Sequence, residues 1–114
     1  MARVMIEVRE DNTSEILSKL KAAKHRGLVA IGMTAEGHAK KELYPGHGLD
    51  TGRLRNSITN SVYEDAAYIG TNVEYAIWVE VGARGRAGIH FLRNAASNHA
   101  EEYAGLLRDS LENA

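Results

Sequence analysis

The chain has 114 residues and no cysteine, and its 14 lysines and arginines against 15 aspartates and glutamates leave a net charge of -1. This length fits one domain, residues 1–114, and a content of 44% apolar and 25% charged residues is typical of a folded domain. The lack of cysteine excludes disulfides, thiolate catalysis and cysteine-bound metal clusters, and the charge balance gives no overall attraction for nucleic acid or anionic membranes. With neither a secretory segment nor a membrane-spanning one in sight, we expect a cytoplasmic protein with no membrane contact.

The first third of the chain predicts a strand and a long helix. Val4, Ile6 and Val8 alternate with other residues, which predicts an N-terminal strand. Asn12 can cap a helix that begins near Thr13 and runs to about residue 43. The spacing of its apolar residues predicts one buried face, formed by Ile16, Leu20, Ala23, Leu28 and Ile31. Glycines at positions 27, 32 and 37 either permit a close approach or a bend, or are simply tolerated.

The middle of the chain predicts a short helix, a hairpin and a loop. Residues 53–58 can form a helical turn, with Asp50 or Thr51 accepting its first N–H groups. Residues 58–64 and 67–71, separated by Asp65 and Ala66, predict a β-hairpin. Residues 73–81 are so densely apolar that a strand and a short helix remain equally possible, and we expect them to be buried. Residues 82–88 contain three glycines and two arginines, a composition typical of a mobile loop.

The C-terminal region predicts one amphipathic helix. Its apolar positions recur every three or four residues: Leu92, Ala96, His99 or Ala100, Tyr103, Leu107 and Leu111. The predicted fold class is therefore α+β, with a long N-terminal helix and a C-terminal helix packed on a small antiparallel sheet, preceded by an N-terminal strand.

The sequence Asp50-Thr51-Gly52 matches the loop in which aspartic proteases place their catalytic carboxylate. Such a loop follows an apolar strand and leads into small residues, so that two carboxylates share a proton. Here Arg53 and Arg55 follow, and two cations would keep a nearby carboxylate ionised. We therefore favour a helix cap and expect no enzyme, with a small aspartic-protease-like hydrolase as the alternative.

The sequence gives little support for a metal site or for a nucleic-acid-binding site. The candidate metal ligands are five histidines: His25, His38, His47, His90 and His99. No pair stands at His-x-x-x-His spacing, and His99 falls on the apolar side of the predicted last helix, so we expect no metal site and no cofactor. Arg84 and Arg86 could contact phosphates, but two charges without an interleaved aromatic residue favour a solvated or partner-contacting loop over a nucleic-acid-binding module.

Three segments carry a family resemblance. They are residues 49–58 (LDTGRLRNSI), residues 69–76 (IGTNVEYA) with 79–82 (VEVG), and residues 90–95 (HFLRNA). In this order they resemble the minor structural proteins of tailed phages and prophages that join head to tail or complete the tail. The match covers residues 36–100. The chain departs from the pattern where relatives have prolines or an aromatic residue, at Leu49, Ile77-Trp78, Val81 and Asn94.

The resemblance implies a structural protein of the phage neck that forms a ring between the portal and the tail tube, with six as the expected number of subunits. The implied partners are further copies of the chain and the connector and tail proteins, with DNA only as cargo in the channel. The implied location is the host cytoplasm during assembly and the virion neck or tail afterwards. The residues expected to serve assembly are Asp50, Thr51, Gly52, Arg53, Leu54, Tyr75, Glu80, Gly82, Arg84, Arg86, Phe91 and Leu92. We also expect ion pairs within or between subunits. They involve Glu80 and, near Asp50, Arg53 with Arg55.

Overall fold

The computed structural model describes the backbone of residues 2–45, 48–49, 52–83 and 85–114, and the side chains of these ranges except residues 2–13, 45, 48–49, 83 and 86. The elements are α1 (Ala2–Lys41), β1 (Tyr44–Pro45), β2 (Gly48–Leu49), α2 (Arg53–Ser57), β3 (Thr59–Tyr63), β4 (Ala66–Gly70), α3 (Ala76–Val81), β5 (Gly82–Ala83), β6 (Arg86–Ala87), α4 (Phe91–Ser97) and α5 (Ala100–Glu112). The predicted α+β class is confirmed: a long N-terminal helix, C-terminal helices and a small antiparallel sheet. No helix in the described ranges is long and apolar enough to cross a membrane.

Helix α1 is continuous over 40 residues. Such a helix is about 60 Å long, and the longest dimension of the molecule is 73 Å. The predicted N-terminal strand is wrong, and Asn12 lies inside the helix rather than at its cap. A strand at residues 4–8 would need a partner, and none of the described strands pairs with this segment. Extending an existing helix needs no new nucleus, so helical hydrogen bonds prevail over a short alternating pattern.

The C-terminal half of α1 supports the other elements through close contacts. At Gly27, a Cβ atom would lie 2.9 Å from Leu107 Cδ1 of α5. At Gly32, a Cβ atom would lie 2.9 Å from Asn60 Oδ1 of β3. These two glycines therefore permit close approach, by a helix and by a strand, whereas Gly37 has no neighbour within 4 Å of the equivalent point and is simply tolerated.

The predicted hairpin is confirmed as β3 and β4, which pair in an antiparallel register from Thr59 opposite Gly70 to Tyr63 opposite Ala66. Its turn lies at Glu64 and Asp65, one residue earlier than predicted. Asn60 holds the hairpin on α1, because its Nδ2 donates a 3.0 Å hydrogen bond to Oε1 of Glu36.

The core lies where α2, α3 and α4 meet the C-terminal end of α1. Its buried members are Ala39, Leu43, Leu54, Ile58, Val73, Ala76, Phe91 and Ala95. The predicted short helix is confirmed as α2, and the ambiguous segment forms the helix α3. The predicted single C-terminal helix is interrupted at residues 98–99, between α4 and α5. The predicted buried face of α1 holds at Ala23 and Leu28 but is wrong at Ile16 and Leu20, which are exposed.

We predict that the glycines of α1 respond oppositely to substitution. Gly37→Ala should stabilise the protein by about 0.5–1 kcal/mol, because alanine is the better helix former and its Cβ meets open space. Gly27→Leu should destabilise it by about 1–3 kcal/mol, because the larger side chain forces α5 away from α1. Urea unfolding followed by circular dichroism measures both effects.

A Gly37→Leu variant controls for the size of the new side chain, since it adds the same atoms where no neighbour is close. If Gly27→Leu proves as stable as Gly37→Leu, the close contact between α1 and α5 does not exist in solution.

We predict an acid-sensitive contribution from Glu36. The hydrogen bond from Asn60, reinforced by Lys40, holds the pKa of the Glu36 carboxyl below its usual value. Its stabilising contribution is therefore present above the unfolded pKa of about 4.3 and is lost as the pH falls through the lower folded pKa. Between about pH 6 and about pH 3, the wild-type protein should lose more free energy of unfolding than Glu36→Gln. Parallel stability profiles of the two proteins would contradict this assignment.

Candidate assembly surface

Some of the residues that carry the family resemblance lie in or against the core, and others, such as Arg53 and Arg93, are exposed. Leu54 and Phe91 are fully buried, and Tyr75 and Leu92 pack against the buried cluster. Gly52 is the N-cap residue of α2, with a left-handed φ of 82°. Asp50, Thr51 and Arg84 lie outside the described residues, and Arg86 is described only by its backbone in β6. Leu54, Tyr75, Phe91 and Leu92 therefore help to build the core.

Arg53 forms an ion pair with Glu74, whereas Asp50, near which we expected Arg53 and Arg55 to pair, lies outside the described residues. Arg53 Nη1 donates to Glu74 Oε1 at 3.3 Å and its Nη2 to Oε2 at 3.2 Å, while the guanidinium carbon lies 5.5 Å from the centre of the Tyr75 ring. A hydrogen bond from its own backbone amide, and next the Arg53 guanidinium, lower the pKa of Glu74. Both side chains are exposed, so the pair contributes little to the stability of the fold.

Glu80 joins α3 to α4 as a helix cap. Its Oε1 accepts a 2.8 Å hydrogen bond from the Leu92 amide, and its Oε2 a 3.2 Å bond from the Arg93 amide. These are free N–H groups at the start of α4, where a negative charge is favourable. His90 Nδ1 stands 3.9 Å from Oε2. Glu80 thus caps α4, and it forms an ion pair with His90 only when that imidazole is protonated. The sequence did not reveal the cap because it links two separate helices.

The segment after α3 is more regular than predicted. Where we expected a mobile loop, β5 and β6 pair in an antiparallel register, Gly82 with Ala87 and Ala83 with Arg86. Gly82 and Gly85 adopt positive φ values of 91° and 81°. A Cβ at Gly88 would lie 2.3 Å from the Glu80 carbonyl oxygen, so the chain returns tightly against the end of α3.

Helix α3 presents three large apolar side chains to solvent. Ile77 is 57%, Trp78 59% and Val81 58% exposed, and we call these three residues the α3 patch. The prediction that residues 73–81 are buried is wrong here, because only one side of a helix can face the core. Ala76 is buried, and Val79 packs against the core on the opposite side. Three neighbouring exposed apolar side chains make this face of α3 a candidate interaction surface.

The second exposed apolar surface lies on α1. Residues 14–22, which we call the α1 arm, are all exposed. Ile16 (54%), Leu17 (53%) and Leu20 (41%) stand on it at the same i, i+1, i+4 spacing as the α3 patch. The Ser110 hydroxyl of α5 donates a 2.6 Å hydrogen bond to the carbonyl of Ala23, and the α1 arm lies on the N-terminal side of that contact.

The β3–β4 hairpin exposes a third surface. Tyr63 and Tyr68 lie exposed on its outer face. No other strand of the described residues pairs with either edge of this hairpin. Open strand edges carry unpaired N–H and C=O groups that can pair with another chain.

The chain matches no protein-family model, and no curated protein or solved structure is detectably similar to it. A function can therefore be inferred only from the surfaces of the described residues and from the three resembling segments.

We predict that removing the Glu80 cap lowers the free energy of unfolding, because the start of α4 is no longer held. Glu80→Ala should destabilise the protein by about 1–2 kcal/mol, because two amides at the start of α4 lose their acceptor. Glu80→Gln should cost less, since its amide oxygen can still accept one bond. Thermal or urea unfolding measures the series.

Glu101→Ala is the matched control, because Glu101 is an exposed carboxylate in the first turn of α5. It should change stability by no more than about 0.5 kcal/mol. Equal losses at positions 80 and 101 would show that Glu80 does not act as a cap.

Proposed function

We propose that the chain is a self-assembling structural protein of the phage neck or tail end, which forms a closed ring and contacts connector and tail proteins. The single observation that carries the proposal is the α3 patch, three large apolar side chains held outward on a braced helix. The three segments that resemble head–tail joining proteins supply the biological setting. The expected number of six subunits also comes from that resemblance.

Hydrogen bonds at both α4 and the segment before it hold the helix of the α3 patch in place. Glu80 fixes the end of α3 to α4, and the Ile89 amide donates a 2.8 Å hydrogen bond to the Val79 carbonyl. Because these hydrogen bonds already hold α3 in place, the α3 patch loses little conformational freedom when a partner covers it. Trp78 at its centre is the residue type most often found to dominate binding at protein interfaces.

The α1 arm is the complementary element. An isolated stretch of helix in water is marginal, and packing an apolar face against a neighbour is what usually stabilises it. Ile16, Leu17 and Leu20 offer such a face. We therefore assign the contact between copies to the α1 arm of one subunit and the α3 patch of the next.

A ring requires this kind of pairing. Contact between two different surfaces propagates from copy to copy and closes when the rotation allows, whereas contact between identical surfaces stops at a dimer. The α1 arm and the α3 patch belong to different elements, so each subunit offers two distinct apolar surfaces. The Tyr63 and Tyr68 face of the hairpin remains available for other neck or tail proteins.

The hydrolase alternative rests on Asp50, which lies outside the described residues and stays a prediction. A peptide-cleavage assay of the wild-type protein and of Asp50→Asn decides it. We expect no cleavage by either protein; cleavage that Asp50→Asn abolishes would establish the hydrolase.

We predict that a charge in the α3 patch blocks assembly. Trp78→Asp should weaken self-association by about 30-fold or more, as expected for the loss of a central aromatic contact. Its circular dichroism spectrum should match the wild type, because Trp78 packs largely outside the core. Sedimentation velocity measures the association, and native mass spectrometry with negative-stain imaging counts the subunits. Met33→Asp is the matched control, since Met33 is equally exposed but lies outside both surfaces.

Mixing two broken variants tests the direction of the contact. Leu17→Asp disables the α1 arm and Trp78→Asp disables the α3 patch, so each protein alone should remain monomeric. Their mixture retains one intact arm and one intact patch, and should form one-to-one heterodimers and nothing larger. A wild-type protein that stays monomeric, or a mixture that forms no heterodimer, would contradict the proposed ring contact.

A further inference from the structure

Two histidines from distant parts of the chain meet between α1 and α5. The ring of His38, on α1, stacks on the ring of His99, the N-cap residue of α5, with centroids 3.5 Å apart and planes inclined by 2°. His38 Nε2 also lies 2.5 Å from Oε1 of Glu102, in the first turn of α5. Two imidazoles and a carboxylate thus face one another across the junction of two helices.

We propose that His38, His99 and Glu102 form a binding site for a divalent transition-metal ion of the zinc type. Each residue offers one ligand atom, and the three atoms lie within 4.8 Å of one another. Imidazole nitrogen and carboxylate oxygen are both established zinc ligands, and a set of two histidines and one carboxylate leaves further positions for water. This inference is independent of the proposed neck function.

The geometry needs only a local adjustment. Zinc binds nitrogen and oxygen at about 2.0–2.2 Å, so the ligand atoms of a tetrahedral site lie about 3.3 Å apart. The His38 and His99 rings must tilt out of their parallel stack so that both nitrogens point to one ion. Glu102 stands on the helix surface with its side chain 49% exposed, and can move to make room beside His38.

The surroundings restrain the ligands and leave a route for the ion. The Tyr103 ring lies 6.2 Å from each histidine ring, and its hydroxyl donates a hydrogen bond to the Ala95 carbonyl, which fixes it as a wall of the site. The side chain of His38 is 18% exposed, so the site is sheltered but open on the Glu102 side. Lys41 acts electrostatically on Glu102, so its positive charge opposes a cation there and must be outweighed by the three ligands.

A bound ion would fasten α5 to α1. The ligands His38 and Glu102 are 64 positions apart in the chain and converge only after the two helices pack. An ion that binds the folded chain and not the unfolded one stabilises the fold in proportion to its affinity and concentration.

Zinc titration of the full chain tests the site. Isothermal titration calorimetry should show one zinc ion per chain, and saturating zinc should raise Tm by roughly 4 °C or more. Magnesium at the same concentration should do neither, because it requires oxygen ligands. In the cobalt-loaded protein, visible absorption bands should report ligation by nitrogen. A wild-type protein whose Tm and calorimetric signal do not respond to zinc would overturn the proposal.

Substitutions locate the ion. His99→Ala should weaken zinc binding at least about tenfold and abolish the Tm increase, and His25→Ala, an exposed histidine elsewhere on α1, should leave both unchanged. Glu102→Gln keeps the shape of the side chain and provides the same test if His99→Ala does not fold. Zinc binding that survives both His99→Ala and Glu102→Gln, or that is lost in His25→Ala, would place the ion elsewhere and refute the site.

Discussion

The fold depends on how closely its neighbours approach the C-terminal half of α1. The buried positions of this half are mostly small: Ala23, Gly27, Gly32, Ala35 and Ala39. Small residues let α5 pack against one side of the helix and β3 against another, at distances where a further methyl group would collide. The hairpin held by Glu36 and the histidine pair at the α1–α5 junction both depend on these contacts.

This construction leaves the core small. Phe91, Leu43 and Ile58 are the largest side chains that it buries completely. Much of the remaining apolar surface is exposed, on the α1 arm, on the α3 patch and on the outer face of the hairpin. A chain that buries little surface by itself gains more from burying surface against another copy, because the hydrophobic gain grows with the apolar area removed from water. The exposed apolar residues thus agree with an assembling protein better than with a solitary one.

Local patterns predicted the elements whose causes are local. The β3–β4 hairpin, α2 and most of α1 were found because turn residues and helical spacing lie within a few positions of one another. The strand at residues 4–8 was wrong because five alternating residues cannot supply the partner that a strand needs. The density of apolar residues at 73–81 indicated burial correctly for Ala76, but it could not show that Trp78 faces outward.

The Glu80 cap and the His38–His99 pair could not be predicted because both depend on tertiary packing. Glu80 caps α4 from another helix, and His38 meets His99 only because α1 and α5 pack side by side, so no spacing along the chain reveals either arrangement. Short spacings such as His-x-x-x-His reveal metal ligands within one helix, whereas ligands that tertiary packing brings together leave no such pattern in the sequence. The same packing explains why some motif residues of the three resembling segments are internal. Glu80 among them joins α3 to α4, and Val81, which also lies in residues 79–82, is exposed together with Ile77 and Trp78.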